Sequence, residues 1–224
     1  MRLLWCAFFA AVALQAQTFP GAATLDRLVR AGMLAPAIAD LLRIAARGAL
    51  NMLVSGPEGS GKTALLAAIS RDLDNVARVV TVARHRQFRW TALSKVELVA
   101  SQASPYPMLL AAAARLQPGL LVLDSIGLED VPALTERLLR GERGTLAAVG
   151  PEAMAAALAR SADLIVRLDR GRDGLPRAVS LEDAGGQQIF VHEGGEFRWR
   201  ATTPAFAPIL QAKGYGEALA LIFR

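Results

Sequence analysis

Cysteine and histidine are scarce in this sequence. One cysteine, Cys6, has no second thiol with which to form an intrachain disulfide or a thiolate-built zinc site. The two histidines, His85 and His192, are far apart, and neither has a neighbour at metal-ligand spacing. A metal held by protein groups alone is therefore not expected. Lysine is also rare, so the positive charge is almost all arginine. There is no internal repeat and no low-complexity linker. No apolar run reaches the roughly 20 residues of a membrane-spanning helix. The apolar fraction of 53% is carried largely by alanine and does not by itself mark a membrane protein.

What is present is enough chain for one substantial core, 224 residues, with a net charge of +5 and an isoelectric point near 10.1. Such a balance suits an acidic partner: phosphates, nucleic acid or an anionic membrane surface. It equally suits mere solubility. The first residues, MRLLWCAFFAAVALQAQ, place Arg2 before an apolar run from Leu3 to Leu14 and then small and polar residues. That is the outline of a secretory signal peptide, or of a buried strand or helix. Residues 1–20 are read as this separate apolar segment and 21–224 as the folded domain.

Along the chain the apolar rhythm alternates between two periods. Thr24 can cap a helix through Leu28 that Gly32 ends, and Pro36–Arg47 is a second helix with proline near its first turn. Met52-Leu53-Val54 is a short buried strand. Lys62–Leu73 reads as helix, Arg78–Val82 and Lys95–Val99 as strands, Met108–Leu116 as helix and Leu120–Asp124 as strand. Val131–Arg140 is a helix, Thr145–Val149 a strand, Pro151–Arg160 a helix and Asp163–Leu168 a strand. This alternation predicts an α/β fold with a mainly parallel sheet and helices on both faces. Beyond Leu168, turns at Asp173-Gly174, Gly185-Gly186 and Gly194-Gly195 separate three short strands, an antiparallel meander on the sheet's edge. Two short helices around Pro208–Lys213 and Glu217–Phe223 close the chain.

Two features carry chemistry. Gly56-Pro57-Glu58-Gly59-Ser60-Gly61-Lys62-Thr63 spells G-x-x-x-x-G-K-T between a predicted strand and a predicted helix. Glycines at 56, 59 and 61 let backbone N–H groups turn around an anion, and the following helix points its positive end at the same place. Lys62 would reach the outer phosphates of ATP, and the Thr63 hydroxyl would help to hold Mg²⁺. The second feature is Asp124, which ends an apolar strand where an unpartnered acid is costly. It is read as the second Mg²⁺ group and, with Lys62, as the catalytic pair. The plainer alternative is a helix N-cap for the segment near Glu129, a job that Ser125 or Asp130 could also do.

The stretch TLDRLVRAGMLAPAIADLLRIAARGALNMLVSGPEGSGKTALLAAI, with the tail SADLIVRLDRGRDGLPRAVSLEDAGG and F-x-W-x-A-T-T-P, resembles the secretion ATPases. The likeness is to their CpaF/TadA-type members from tight-adherence pilus systems and covers most of the chain from about Phe19. It implies a RecA-like P-loop NTPase domain, ATP and Mg²⁺ as ligands, and ring assemblies docked on an inner-membrane platform of type II/IV secretion or pilus machinery. It also implies motifs that this chain meets unevenly. The P-loop matches. The acid at the Walker B place is kept as Asp124, one methylene shorter than the glutamate the resemblance implies. Where T-I-E-D is expected, the chain has Thr81-Val82-Ala83-Arg84. Gly150 stands where a histidine would, and the arginine expected after the Lys95–Val99 strand is missing near Ser101.

Phosphate binding needs backbone N–H groups, Lys62 and Mg²⁺. Hydrolysis also needs a positioned water and a proton acceptor, whose loss costs about 10²–10⁴-fold in rate. The expected function is therefore an ATP-binding CpaF-like homologue with impaired hydrolysis, a ring subunit or regulatory partner in the cytoplasm, peripheral to the inner membrane. The alternative is a working ATPase that recruits another acid, such as Asp124 or Glu58. The basic and aromatic stretch Ala83–Trp90 fits a solvated loop with inward aromatics, or a contact to nucleotide or partner. Single-stranded nucleic acid is the least favoured reading of it.

Overall fold

A computed structural model describes residues 23–73, 78–85, 88, 95–101, 105–150, 158–200 and 203–223. The described strands are β1 (Met52–Ser55), β2 (Val79–Ala83), β3 (Lys95–Val99), β4 (Leu120–Ile126), β5 (Thr145–Val149), β6 (Leu164–Arg170), β7 (Pro176–Asp183), β8 (Gln188–Glu193) and β9 (Glu196–Trp199). They form one sheet in the order β3-β2-β4-β5-β1-β6-β7-β8-β9. Strands β3 to β6 of that order run parallel; β6-β7, β7-β8 and β8-β9 are antiparallel. The mainly parallel sheet with a terminal meander is thus the architecture that the alternating rhythm predicts.

Strand residues alternate between two faces, and the buried side chains sort accordingly. Met52, Val54, Leu120, Val122, Leu146, Ala148, Leu164 and Val166 point to one core. That core is covered by α1 (Leu25–Arg30), α2 (Pro36–Arg47), α3 (Lys62–Arg71), α6 (Ala207–Ala212) and α7 (Gly216–Ile222). Leu53, Val80, Val82, Leu121, Leu123, Ala147 and Ile165 point to the other, under α4 (Tyr106–Arg115) and α5 (Val131–Leu139). A central strand buried on both faces is a continuous apolar run, which is why LVLD and MLV read as they do. Each buried leucine contributes about 1.5–3 kcal/mol.

Helix ends follow local chemistry. The Thr24 hydroxyl accepts from Arg27 N–H at 3.3 Å, and Gly32 takes φ +73° just past α1. Pro36 opens α2. Helix α4 starts at Tyr106, two residues before the expected Met108, because Pro107 occupies its first turn, where a missing N–H is harmless. Strand β4 runs two residues beyond Asp124. The expected helix over Pro151–Arg160 and the apolar segment 1–20 lie largely or wholly outside the described residues; Leu158–Arg160 is a single 3₁₀ turn. Among the described residues, no helix is long and apolar enough to cross a membrane.

Candidate functional site

The carboxyl ends of the parallel strands converge on one edge of the sheet, the edge where open α/β sheets place their ligands. Strand β1 delivers the glycine loop there, between the ends of β5 and β6. Gly56 is packed so tightly that a Cβ would lie 2.3 Å from the Leu168 carbonyl oxygen of β6 and 2.6 Å from Ser60 Oγ. Gly59 and Gly61 adopt φ +72° and +91°, the left-handed region that side chains avoid. Residues 57–59 form the exposed rim of the loop, and Gly61 caps α3. The N–H groups of the first turn of α3, which begins at this loop, have no partner within the helix.

Lys62 folds over this loop. Its ammonium donates to Gly56 O at 2.7 Å and Pro57 O at 2.8 Å. Partial burial lowers its pKa, opposed by the nearby Asp124 and Glu58 charges. Thr63 Oγ1 donates to Asp124, 3.1 Å from Oδ1 and 3.3 Å from Oδ2. Asp124 is only 1% exposed. Burial raises its pKa, while hydrogen bonds from Thr63 and Ser125 and the charge of Lys62 pull it back. Strand alternation puts Asp124 on the same side as Val122, the side of α3, so the acid faces Thr63 across the two elements. The Ser60 hydroxyl is buried beside Gly56 with no protein partner.

This donor set fits the ligands the sequence suggests. At Gly56, Gly59 and Gly61 a Cβ would overlap neighbouring atoms, so only glycine fits the bend, and Lys62 lies over its Gly56 and Pro57 carbonyls. A hydroxyl and a carboxylate meet one residue farther on, the oxygen pair a hard cation takes beside a phosphate. Lys62, Thr63 and Asp124 are therefore brought together, with Gly56, Pro57, Glu58, Gly59, Ser60 and Gly61 forming the loop around them. Glu58 sits exposed on the rim. Asp124 does not cap the turn that follows it. The cap is Gly127, and Asp130, the last residue of the 3₁₀ turn Leu128–Asp130, reaches back so that its Oδ2 accepts from Gly127 N–H at 3.0 Å.

Three features of the site are not evident from residue spacing. First, the pairing of β4 with β5 shifts register between Leu123 and Ile126, so a bulge falls on Asp124-Ser125. Ser125 takes φ +60°, a strained conformation for a residue with a Cβ, costing on the order of 1–3 kcal/mol. Second, Tyr106 is buried at the start of α4, and its hydroxyl lies 3.1 Å from Val82 O and 3.2 Å from Asp124 O. Burial, then the charges of Asp124 and Asp130, push its pKa upward. Third, Arg84 lies at the end of β2 over the Tyr106 ring, 5.4 Å from its centroid. It donates Nε to Ser125 O at 3.0 Å and Nη2 to Glu129 and Asp130, each at 2.5 Å.

The positions where the resemblance expects further catalytic groups are also placed. Ala83 ends β2, next to β4, and Arg84 follows it. Gly150 follows β5, and a Cβ there would meet nothing within 4 Å. Of the stretch Ala83–Trp90, the described residues are Ala83, Arg84, His85 and Phe88. His85 is exposed, and Phe88 packs into the core with its N–H donated to Glu97 Oε1 at 3.1 Å.

Comparison with known proteins agrees with this geometry. The model of the AAA ATPase domain family matches residues 34–186, about two thirds of the chain. A search of curated protein sequences finds no match. Among solved structures, the chain is similar to the VirB11 ATPase of the Brucella suis type IV secretion system, solved with sulphate. The TM-score is 0.54 at 17% identity, over 88% of this chain and 57% of that one. It is also similar to the ATPase DotB of Legionella pneumophila, with a TM-score of 0.52 at 19% identity, over 75% of this chain and 52% of that one. The chain thus spans little more than half the length of these two proteins, and at such identities the likeness is one of fold.

Proposed function

Because the chain belongs to the AAA ATPase domain family, we propose that it binds ATP with Mg²⁺ through Gly56–Thr63 and Asp124 and turns it over slowly. The observation that carries the reading is the meeting of Thr63 and Asp124 beside the glycine loop, 3.1 Å apart, with Lys62 folded across that loop. In this reading the loop N–H groups and Lys62 bind the β- and γ-phosphates. Lys62 exchanges the Gly56 and Pro57 carbonyls for phosphate oxygens. Thr63 and Asp124 would hold a Mg²⁺ ion, which would supply charge neutralisation for the phosphates.

Slow turnover follows from the ends of β2 and β5. A carboxylate expected after β2 is replaced by Ala83-Arg84, and a histidine expected after β5 by Gly150. A site that binds but hardly hydrolyses suits a subunit or regulatory partner of an ATPase ring. The motifs quoted above and the fold shared with two secretion ATPases support placing it with the CpaF-like proteins of secretion and pilus assembly. On this reading it works in the cytoplasm against an inner-membrane platform. The competing reading is an active ATPase with a substitute acid. Glu129, drawn by Arg84 toward the β2–β4 edge, is a specific observation in its favour.

Steady-state phosphate release with Mg²⁺-ATP, alongside ATP binding, tests the proposal. The expected result is saturable binding that Lys62→Ala abolishes, with release near background. Release that is well above background and disappears in Lys62→Ala would replace the slow-turnover reading with the active one. Binding that survives Lys62→Ala would defeat both.

A further inference from the structure

The bulge in β4 carries the backbone carbonyls of Asp124 and Ser125, beyond the last residue that pairs with β2. Each has found a side chain. Asp124 O is 3.2 Å from the Tyr106 hydroxyl, and Ser125 O accepts from Arg84 Nε at 3.0 Å. The two side chains also touch one another, guanidinium over ring at 5.4 Å. Arg84 then reaches past Ser125 to Asp130, whose side chain is 2% exposed and which itself holds the Gly127 N–H. One arginine thus spans the turn from Ser125 to Asp130.

We propose that Arg84 and Tyr106 are positioning residues for Asp124: they hold the Asp124-Ser125 bulge in the form that aims the carboxylate at Thr63, and so set how strongly Mg²⁺ strengthens nucleotide binding. Bulges beside functional sites re-aim a side chain at the cost of ladder pairing. Here strand alternation already puts Asp124 on the α3 side, and the bulge sets its final aim; it includes a residue with a Cβ at φ +60°, which persists only if its surroundings fix it. A free carbonyl in a buried turn would otherwise pull the backbone toward whatever donor is near. Arg84 supplies a planar fork with one donor for the carbonyl and another for the acids, a pairing a lysine cannot reproduce. The arginine at the place where the resemblance expects an acid therefore has a task of its own. Neither residue is assigned contact with nucleotide; each acts through Asp124. The inference rests on the proposed Mg²⁺-ATP site.

The test is the ratio of ATP affinity with Mg²⁺ to that in EDTA, measured by calorimetry on wild type, Arg84→Lys, Tyr106→Phe and Asp124→Asn. Arg84→Lys keeps a cation near Asp130, so it should fold, yet it loses the fork to Ser125 O. Tyr106→Phe keeps the ring and loses the hydroxyl. Each is expected to lower the Mg²⁺ ratio about threefold to tenfold, the effect of one lost hydrogen bond, with affinity in EDTA unchanged. Adding Arg84→Lys to Asp124→Asn should change the ratio no further, because the residue being positioned is already neutral. A purely structural role would instead lower the melting temperature and leave the ratio alone. A wild-type ratio in both Arg84→Lys and Tyr106→Phe overturns the inference while leaving the nucleotide site intact. If wild type binds no ATP, the site reading falls and takes the inference with it.

Discussion

Three glycines border the same site, and the geometry assigns each a different fate on substitution by alanine. At Gly56 the new Cβ would sit 2.3 Å from a backbone carbonyl of β6 and 2.6 Å from Ser60 Oγ. The carbonyl belongs to a strand paired on both sides, so it cannot retreat. Overpacking of this kind costs up to about 3 kcal/mol. For a domain of this size each kcal/mol moves the melting point by about 2–4 °C, so a fall of roughly 6–12 °C is expected. At Gly59 the nearest atom is Arg170 Nη2, 2.4 Å away, the far end of a flexible side chain. That clash is easily relieved, and the cost is the left-handed backbone, about 1–2 kcal/mol. At Gly150 a Cβ meets nothing within 4 Å, so the change should stay within about 0.5 kcal/mol. Thermal unfolding of Gly56→Ala, Gly59→Ala and Gly150→Ala without nucleotide measures the series. If Gly56→Ala melts with Gly150→Ala, the packing of the loop against β6 is wrong, and the proposed phosphate cradle fails with it.

Further expectations concern the groups around the loop. Burial holds the Asp124 pKa above the ordinary carboxylate value. The folded state therefore binds this proton more tightly than the unfolded one. Its contribution to stability is full below the unfolded pKa, about 3.9, and is lost as pH rises through the folded value. Asp124→Asn should remove that loss, so nucleotide-free Asp124→Asn outlasts wild type in urea at neutral pH and the gap closes toward pH 4. A gap of the opposite sign would mean that Asp124 is well paired without a cation. Asn51, 3% exposed, gives Nδ2 to Glu142 O at 2.8 Å and takes Thr145 N–H at 3.0 Å through Oδ1. Asn51→Ala strands both backbone groups and should cost about 2–4 kcal/mol by urea midpoint. The Ser60 hydroxyl has no protein partner, so Ser60→Ala should leave nucleotide-free stability unchanged or higher by up to about 1 kcal/mol, read by the same method.

The parts of the molecule readable in its sequence are those governed by near neighbours. The glycine spacing sits between strand and helix because Met52-Leu53-Val54 is apolar on both faces and Lys62 onward has helical periodicity. Asp124 is conspicuous because it closes a run of residues that no water reaches. The turn dipeptides after Leu168 mark the meander for the same local reason. What stayed hidden depends on contacts distant in sequence. Arg84 meets Ser125, Glu129 and Asp130 more than forty residues on, and no pattern in ARHRQ announces it. The bulge at Asp124-Ser125 arises from the pairing of β4 with β5, not from a glycine or proline in β4. Tyr106 lies two residues before the helix expected from Met108, and its burial against Val82 and Asp124 depends on strands distant in sequence. The position of Arg84, where the resemblance expects an acid, shows the difference most plainly. From sequence it is a missing carboxylate; in the fold it is a guanidinium fastened across the turn behind Asp124.

The most direct measurement of the central claim is the melting temperature of the purified chain with and without Mg²⁺-ATP, wild type beside Lys62→Ala. At 100 times the dissociation constant, binding adds about 2.7 kcal/mol, a rise of roughly 5–11 °C in the wild type. The same ATP should leave Lys62→Ala within about 2 °C of its own unliganded value, since less than about 0.5 kcal/mol of binding remains. A wild-type melting point unmoved by saturating Mg²⁺-ATP, or an equal rise in Lys62→Ala, would contradict the account.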